Sequence, residues 1–89
     1  MRAVISVVGR DSVGILAKVA NACSACNANI VDVTQSVLQD MFVMVMLVDI
    51  SDISVEFNAL TKTMTELGES IGMVIHVMHE DIFNSMHRI

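Results

Sequence analysis

Residues 7–16 read Val7-Val8-Gly9-Arg10-Asp11-Ser12-Val13-Gly14-Ile15-Leu16, and the hydrophobic period changes across them. Upstream, residues 2–8 form a short β-branched run that places Ala3, Ile5 and Val7 on one face of a strand. Downstream, Ile15, Leu16, Val19, Ala20, Cys23 and Cys26 recur at three- and four-residue spacing, the apolar stripe of a helix over 13–26. Small residues (Ala17, Ala20, Ala22, Ala25) let that helix sit close to a sheet. Asp11 or Ser12 is placed to cap it by accepting a bond from a first-turn N–H.

Working outward, Asn27-Ala28-Asn29 is the helix exit, since Asn tolerates the left-handed conformation. Residues 30–38 make a second strand, with Val31, Val33 and Val37 on one face and Asp32, Thr34 and Ser36 on the other. Gln39-Asp40 fits a two-residue hairpin loop. Residues 41–50 make a third strand, apolar on both faces and therefore central. Ser51-Asp52 opens a second helix, in which Ile53, Phe57, Leu60, Met64 and Leu67 keep a 4-3-4-3 spacing and Gly68 is the expected stop. Residues 71–79 form a fourth strand, with Met73, Ile75 and Val77 opposed to Val74, His76 and Met78. Residues 80–89 form a short terminal helix with Ile82, Phe83 and Met86 on one side.

The order βαββαβ plus a tail predicts the α+β class. The expected architecture is a ferredoxin-like sandwich: a four-stranded antiparallel sheet, two helices on one face, and a short C-terminal helix. Val4, Val8, Met44, Met46 and Val48 are expected on the uncovered face, an exposed apolar patch that predicts self-association.

Composition narrows the functions. At 89 residues the chain (1–89) is expected to be a single domain. Its 54% hydrophobic content and mean hydropathy of +0.66 exclude disorder. The net charge is −5 and the basic residues Arg2, Arg10, Lys18, Lys62 and Arg88 are scattered. With no Tyr or Trp, and Phe only at 42, 57 and 83, neither a phosphate-neutralising stripe nor a base-stacking platform exists. Nucleic acid and anionic membranes are therefore not expected partners. The longest apolar run, residues 41–48, is far shorter than the roughly 20 residues of a membrane span. No charged and apolar leader pattern opens the chain, and two Cys make no disulfide framework, so a cytoplasmic location is expected.

The turn between the first strand and helix carries the most chemistry. A helix start offers unpaired N–H groups and positive potential, and Gly9 and Gly14 allow close backbone approach. Asp11 adds a carboxylate able to hold an ammonium, so the turn can grip both ends of a zwitterion. The alternative is that Asp11 caps and the glycines only turn. Cys23 and Cys26 form a C-x-x-C but lie near the helix C-terminus, away from the dipole that activates a thiol; buried core cysteines are expected rather than a redox or metal pair. His76 and His79, three apart on a strand, point to opposite faces and cannot chelate together; they and His87 are expected to be surface or interface residues. No nucleophile–base pair or paired carboxylates can be assembled, so neither an enzyme nor a cofactor or metal protein is expected.

The segment Val7 to Leu16 resembles the opening of an ACT domain, a strand followed by G-x-D-x-x-G-I/L and a helix. Asn27-Ala28-Asn29-Ile30-Val31-Asp32 is similar to that family's entry to its second strand. Thr34 to Leu38, Met41 to Met44 and the closing Ile82 to Ile89 extend the likeness to small stand-alone, single-ACT-domain proteins. The resemblance implies a regulatory module, not an enzyme, that pairs and binds amino acids or other small metabolites at or near the subunit interface. Its ligand contacts are implied to come from Gly9, Arg10, Asp11, Ser12, Val13, Gly14 and Ile15 of one chain. Asn29 and Ile30 of a neighbouring chain complete the pocket on that reading. The expected function is thus an amino-acid-binding regulatory homodimer. The alternative is a ligand-free interaction or dimerisation module that regulates a partner protein.

Overall fold

The computed structural model describes residues 1–86. Its elements are β1 (Arg2–Arg10), α1 (Ile15–Ala25), β2 (Asn29–Leu38), β3 (Met41–Asp49), α2 (Phe57–Ile71), β4 (Met73–His79) and α3 (Glu80–Met86). All strand pairs are antiparallel and the sheet order is β2-β3-β1-β4, the expected ferredoxin-like α+β sandwich. Of the terminal helix expected over 80–89, residues 87–89 lie outside the described region.

Three strands set the core. Ala3, Ile5 and Val7 of β1 stand opposite Val48, Met46 and Met44 of β3, and Ile5 and Val7 also oppose Val77 and Ile75 of β4. Directly paired residues share a face. Val19 and Cys23 of α1 and Leu60 and Met64 of α2 close over that face, and all of them are fully buried. Each such large apolar side chain contributes about 1.5–3 kcal/mol through burial.

This register corrects one expectation. Met44, Met46 and Val48 do not face the open side; they lie on the helix side with Ile5 and Val7. A run apolar at every position carries no parity, so only the pairing reveals which residues point inward. The open face carries Val4, Val8, Val43, Val45 and Leu47 instead, and α3 folds over part of it, leaving Val4 only 5% exposed.

The ends of α1 differ in how well they were anticipated. Its exit is as expected: Asn27 is left-handed at φ 60°, Ala28 N–H donates to the Cys23 carbonyl at 2.9 Å and Asn27 N–H to the Ser24 carbonyl at 3.0 Å. That pair of bonds is a Schellman closure. Its start is not. The helix begins at Ile15 with Gly14 at the cap position, φ 83°, and neither Asp11 nor Ser12 caps it by a side chain. The second helix begins at Phe57, beyond an irregular stretch over 51–56, rather than directly after Ser51-Asp52. In that stretch the N-terminal ammonium donates to Ser51 Oγ at 2.8 Å. Ser51 N–H donates to Asp49, which holds that carboxyl below the usual carboxylate range.

Gly68 does not stop α2, which runs on to Ile71 and is capped by Gly72. Gly68 is buried where the helix meets β4, and a Cβ there would sit 2.6 Å from the Met73 carbonyl oxygen. Val31 also departs from its expected face. A bulge between Ile30 and Asp32 leaves it unpaired and half exposed, while Val33 resumes contact with the core.

Met46→Ala is expected to destabilise the fold by about 2–5 kcal/mol, the cost of a cavity in a closed core. Chemical denaturation measures it. A loss well below 1 kcal/mol would contradict the helix-side placement of Met46.

Candidate functional site

The turn after β1 is built from both its neighbours. Gly9 and Arg10 end β1 opposite Phe42 and Met41, which brings the β2–β3 hairpin alongside. Asp11 N–H then donates to the Asp40 carbonyl at 2.9 Å, fixing the turn to the hairpin tip. Arg10 also approaches the Asp40 carboxylate at 3.6 Å, but both side chains are highly exposed and such a pair adds little. Asp40 is the contact that inspection of residues 9–15 misses. It follows from the β1–β3 register, which no local motif encodes.

The two glycines do different work. Gly14 adopts φ +83° in open space, so its role is conformational: it turns the chain into α1 where an L-residue would be strained. Gly9 meets the start of β4, and a Cβ there would lie 2.5 Å from Met73 Sδ and 2.9 Å from the Gly72 carbonyl oxygen. Its small size serves close packing within the chain.

Between these glycines the chain faces solvent. Asp11, Ser12 and Val13 are exposed, Val13 at 96%, whereas Ile15 is buried and anchors the helix start. Among the described residues, the Asp11 carboxylate and Ser12 hydroxyl make no side-chain hydrogen bond. The first turn of α1 leaves N–H groups without intrahelical acceptors beside them. The arrangement offers a carboxylate and a positive helix end within one short turn.

Asn29 and Ile30 lie elsewhere. They begin β2 opposite Asp49 and Val48, at the other end of β3 from Met41. Eight strand steps separate the two places, roughly 27 Å. With Ala20 and Ser24 of α1 they line a groove of about 330 Å³. Within one chain, then, Gly9 to Ile15 come together and Asn29 and Ile30 do not join them.

Cys23 and Cys26 are free and buried in the core. Burial, with Cys26 nearby as a lesser cause, pushes the Cys23 thiol up to about 11. Such a thiol is neutral and unreactive at neutral pH. Among the described residues no three His, Cys, Asp or Glu side chains gather as a metal-binding group, and no helix is long and apolar enough to cross a membrane.

A small α+β sandwich with a glycine-bounded strand-to-helix turn defines a class of fold and no single chemistry. The ACT domain family model matches residues 2–78, and the chain belongs to the ACT domain family. A UPF0237 protein of Methanocaldococcus jannaschii is 46% identical over 99% of this chain and 98% of its own length. An ACT domain protein from Streptococcus pneumoniae superposes with a TM-score of 0.82 at 34% identity, covering 93% of both chains. A formyltetrahydrofolate deformylase from Pseudomonas putida shares the fold alone: TM-score 0.80, 10% identity, 91% of this chain but 30% of that one.

The raised Cys23 pKa has a signed consequence. An unfolded thiol ionises from about pH 9, while the folded one holds its proton to about 11. Its contribution to stability is therefore full below pH 9 and lost as pH rises from 9 through 11. Denaturation midpoints should fall over that window, and the Cys23→Ala variant should show a shallower fall. Identical slopes would contradict the assignment.

Proposed function

We propose that this ACT module is a non-catalytic amino-acid sensor, a single domain over 1–89, that works in the cytoplasm as a homodimer. The ligand's carboxylate rests on the backbone N–H groups of Ser12 to Ile15, and Asp11 faces its ammonium. A helix N-terminus carries about half a positive charge, so no basic side chain is required there. Asn29 and Ile30 of the second copy close the pocket.

One observation carries this reading: the two sets of residues implicated in ligand contact lie at opposite ends of the sheet. In one chain they cannot meet. If two copies align their β2 edges antiparallel, the Asn29 end of each comes beside the turn end of the other. Among the described residues no strand pairs with the outer edge of β2, whose Val37 and Leu38 are exposed apolar residues, as is Leu16 at the start of α1. Val13 of the turn is also an exposed apolar residue.

Light scattering at micromolar concentration should report a mass above the 9.7 kDa chain. A monomer would sink the shared-pocket arrangement.

Thermal melts against an amino-acid panel should show at least one stabilising ligand, since binding to the folded state alone raises Tm. Because Asp11 caps nothing, Asp11→Asn should leave the apo Tm nearly unchanged and weaken that ligand about tenfold or more, the scale of one charge-assisted hydrogen bond. Equal affinity in both proteins would remove the ammonium-binding role. A dimer that no ligand stabilises would favour the ligand-free interaction module.

A further inference from the structure

On the face of the sheet away from α1 and α2, α3 packs against β1 and β4 and helps enclose a cleft of about 240 Å³. Its apolar lining includes Val4 of β1, Val45 and Leu47 of β3 and Phe83 of α3. Val4 is buried yet stands outside the main core cluster, so this corner of the open face carries a small apolar surface of its own.

The cleft's charge is set by a backbone irregularity. The bulge between Ile30 and Asp32 resumes pairing with Asp32 opposite Leu47, which puts Asp32 on the open face beside the apolar lining. Bulges commonly re-aim a side chain in this way. Asp32 Oδ1 accepts Val33 N–H at 2.9 Å, so the carboxylate is oriented. The other acid at the cleft, Glu80, is neutralised by Arg2 at 2.7 Å. Among the described residues no cation pairs with Asp32. Among the described residues, the cleft thus combines an exposed, unneutralised carboxylate with a partly open apolar lining, and Thr34 and Asn84 supply further hydrogen-bonding groups.

We propose that this cleft is a second ligand site, separate from the turn after β1, and that it takes a small organic cation: a primary ammonium held by Asp32, on an apolar or aromatic body lying among Val4, Leu47 and Phe83. Size fits the class. A cavity of about 150 Å³ encloses a benzene ring, so this cleft has room for a ring with a short aminoalkyl chain. The site also has a built-in response. α3 spans seven residues with none buried, too short to be stable by itself, and a ligand bridging β2 and α3 ties it down.

The test is an NMR titration of the full-length, ¹⁵N-labelled chain with phenethylamine, and with phenylacetate as the charge-reversed control. Saturable amide shifts are expected at Thr34, Leu47 and Asn84, with slower amide exchange in α3. Asp32→Asn preserves the acceptor for Val33 N–H and should weaken phenethylamine about tenfold, the loss of one charge-assisted hydrogen bond. Phe83→Ala should weaken it independently. Asp11→Asn should leave it unchanged, which separates this site from the turn. The proposal is overturned if millimolar phenethylamine gives no saturable shifts, if phenylacetate binds equally well, if Asp32→Asn binds like wild type, or if the shifts centre on residues 9–15.

Discussion

The pairing of β1 with its two neighbours is the constraint on which the molecule rests. β1 lies between β3 and β4 and bonds to both along nearly its whole length. Ile5 stands in a row with Met46 and Val77, and Val7 in a row with Met44 and Ile75. Sliding β1 by one residue against β3 would turn Ile5 and Val7 outward and bring Val4, Ser6 and Val8 against the helices. The same register sets Arg10 opposite Met41, and only then does the Asp40 carbonyl meet Asp11 N–H. Core, turn and hairpin therefore share one alignment, and the shape of the exposed turn is a consequence of packing far from it.

The two edges of the sheet are treated unequally. At β4, α2 comes in so closely that residue 68 has no room for a side chain, and Phe57 stacks on His79 with ring centres 4.2 Å apart. That edge is sealed on its helix side. At β2 nearly every residue is exposed, and from Val33 to Leu38 the strand carries neither a charge nor a proline. Soluble proteins usually guard such an edge with charges, prolines or bulges. Here the bulge and Asp32 guard only the first part of the strand. An unguarded length of edge strand is the physical counterpart of the proposed pairing, and the single bulge limits which part of β2 can take part.

Period and punctuation made much of the fold legible. The alternation of Ala3, Ile5 and Val7, the stripe from Ile15 to Cys26 and the spacing from Leu60 to Leu67 each belong to one element type, and the β-α-β-β-α-β order follows from them. What escaped were relations between elements. The continuous apolar run of β3 gave no sign of which methionines face inward, since either parity satisfies it. Gly68 carried a stop signal that a neighbouring strand overrode, because the helix needed a small residue there more than it needed an end. Asp11 and Ser12 carried capping signals that Gly14 made redundant by turning the chain at φ +83°. The open face was expected bare, but Phe83, Ile82 and Met86 alone could not say which surface α3 would cover. For the candidate site, the two glycines and the acid of the turn were visible in the motif. Its attachment to Asp40 and the separation of Asn29 from it were not, since both are set by pairing across the sheet.

Why the proposed pocket needs a second wall follows from solvation. A small ligand is held tightly when most of its surface leaves water, commonly 70% or more. The turn offers one side only: Asp11, Ser12 and Val13 stand in solvent, and the hairpin beside them leaves Leu38 and Met41 exposed. Charges meeting a zwitterion there would act through water and be correspondingly weak. Covering that turn with another chain lowers the local dielectric and strengthens each polar contact, while burying Val13 and Leu38 supplies apolar association energy. A ligand bound in such a place is then linked to assembly: whatever stabilises the occupied pocket must stabilise the paired state by the same free energy. For a chain of this size, that linkage is a direct way for a metabolite's concentration to become a change in protein surface.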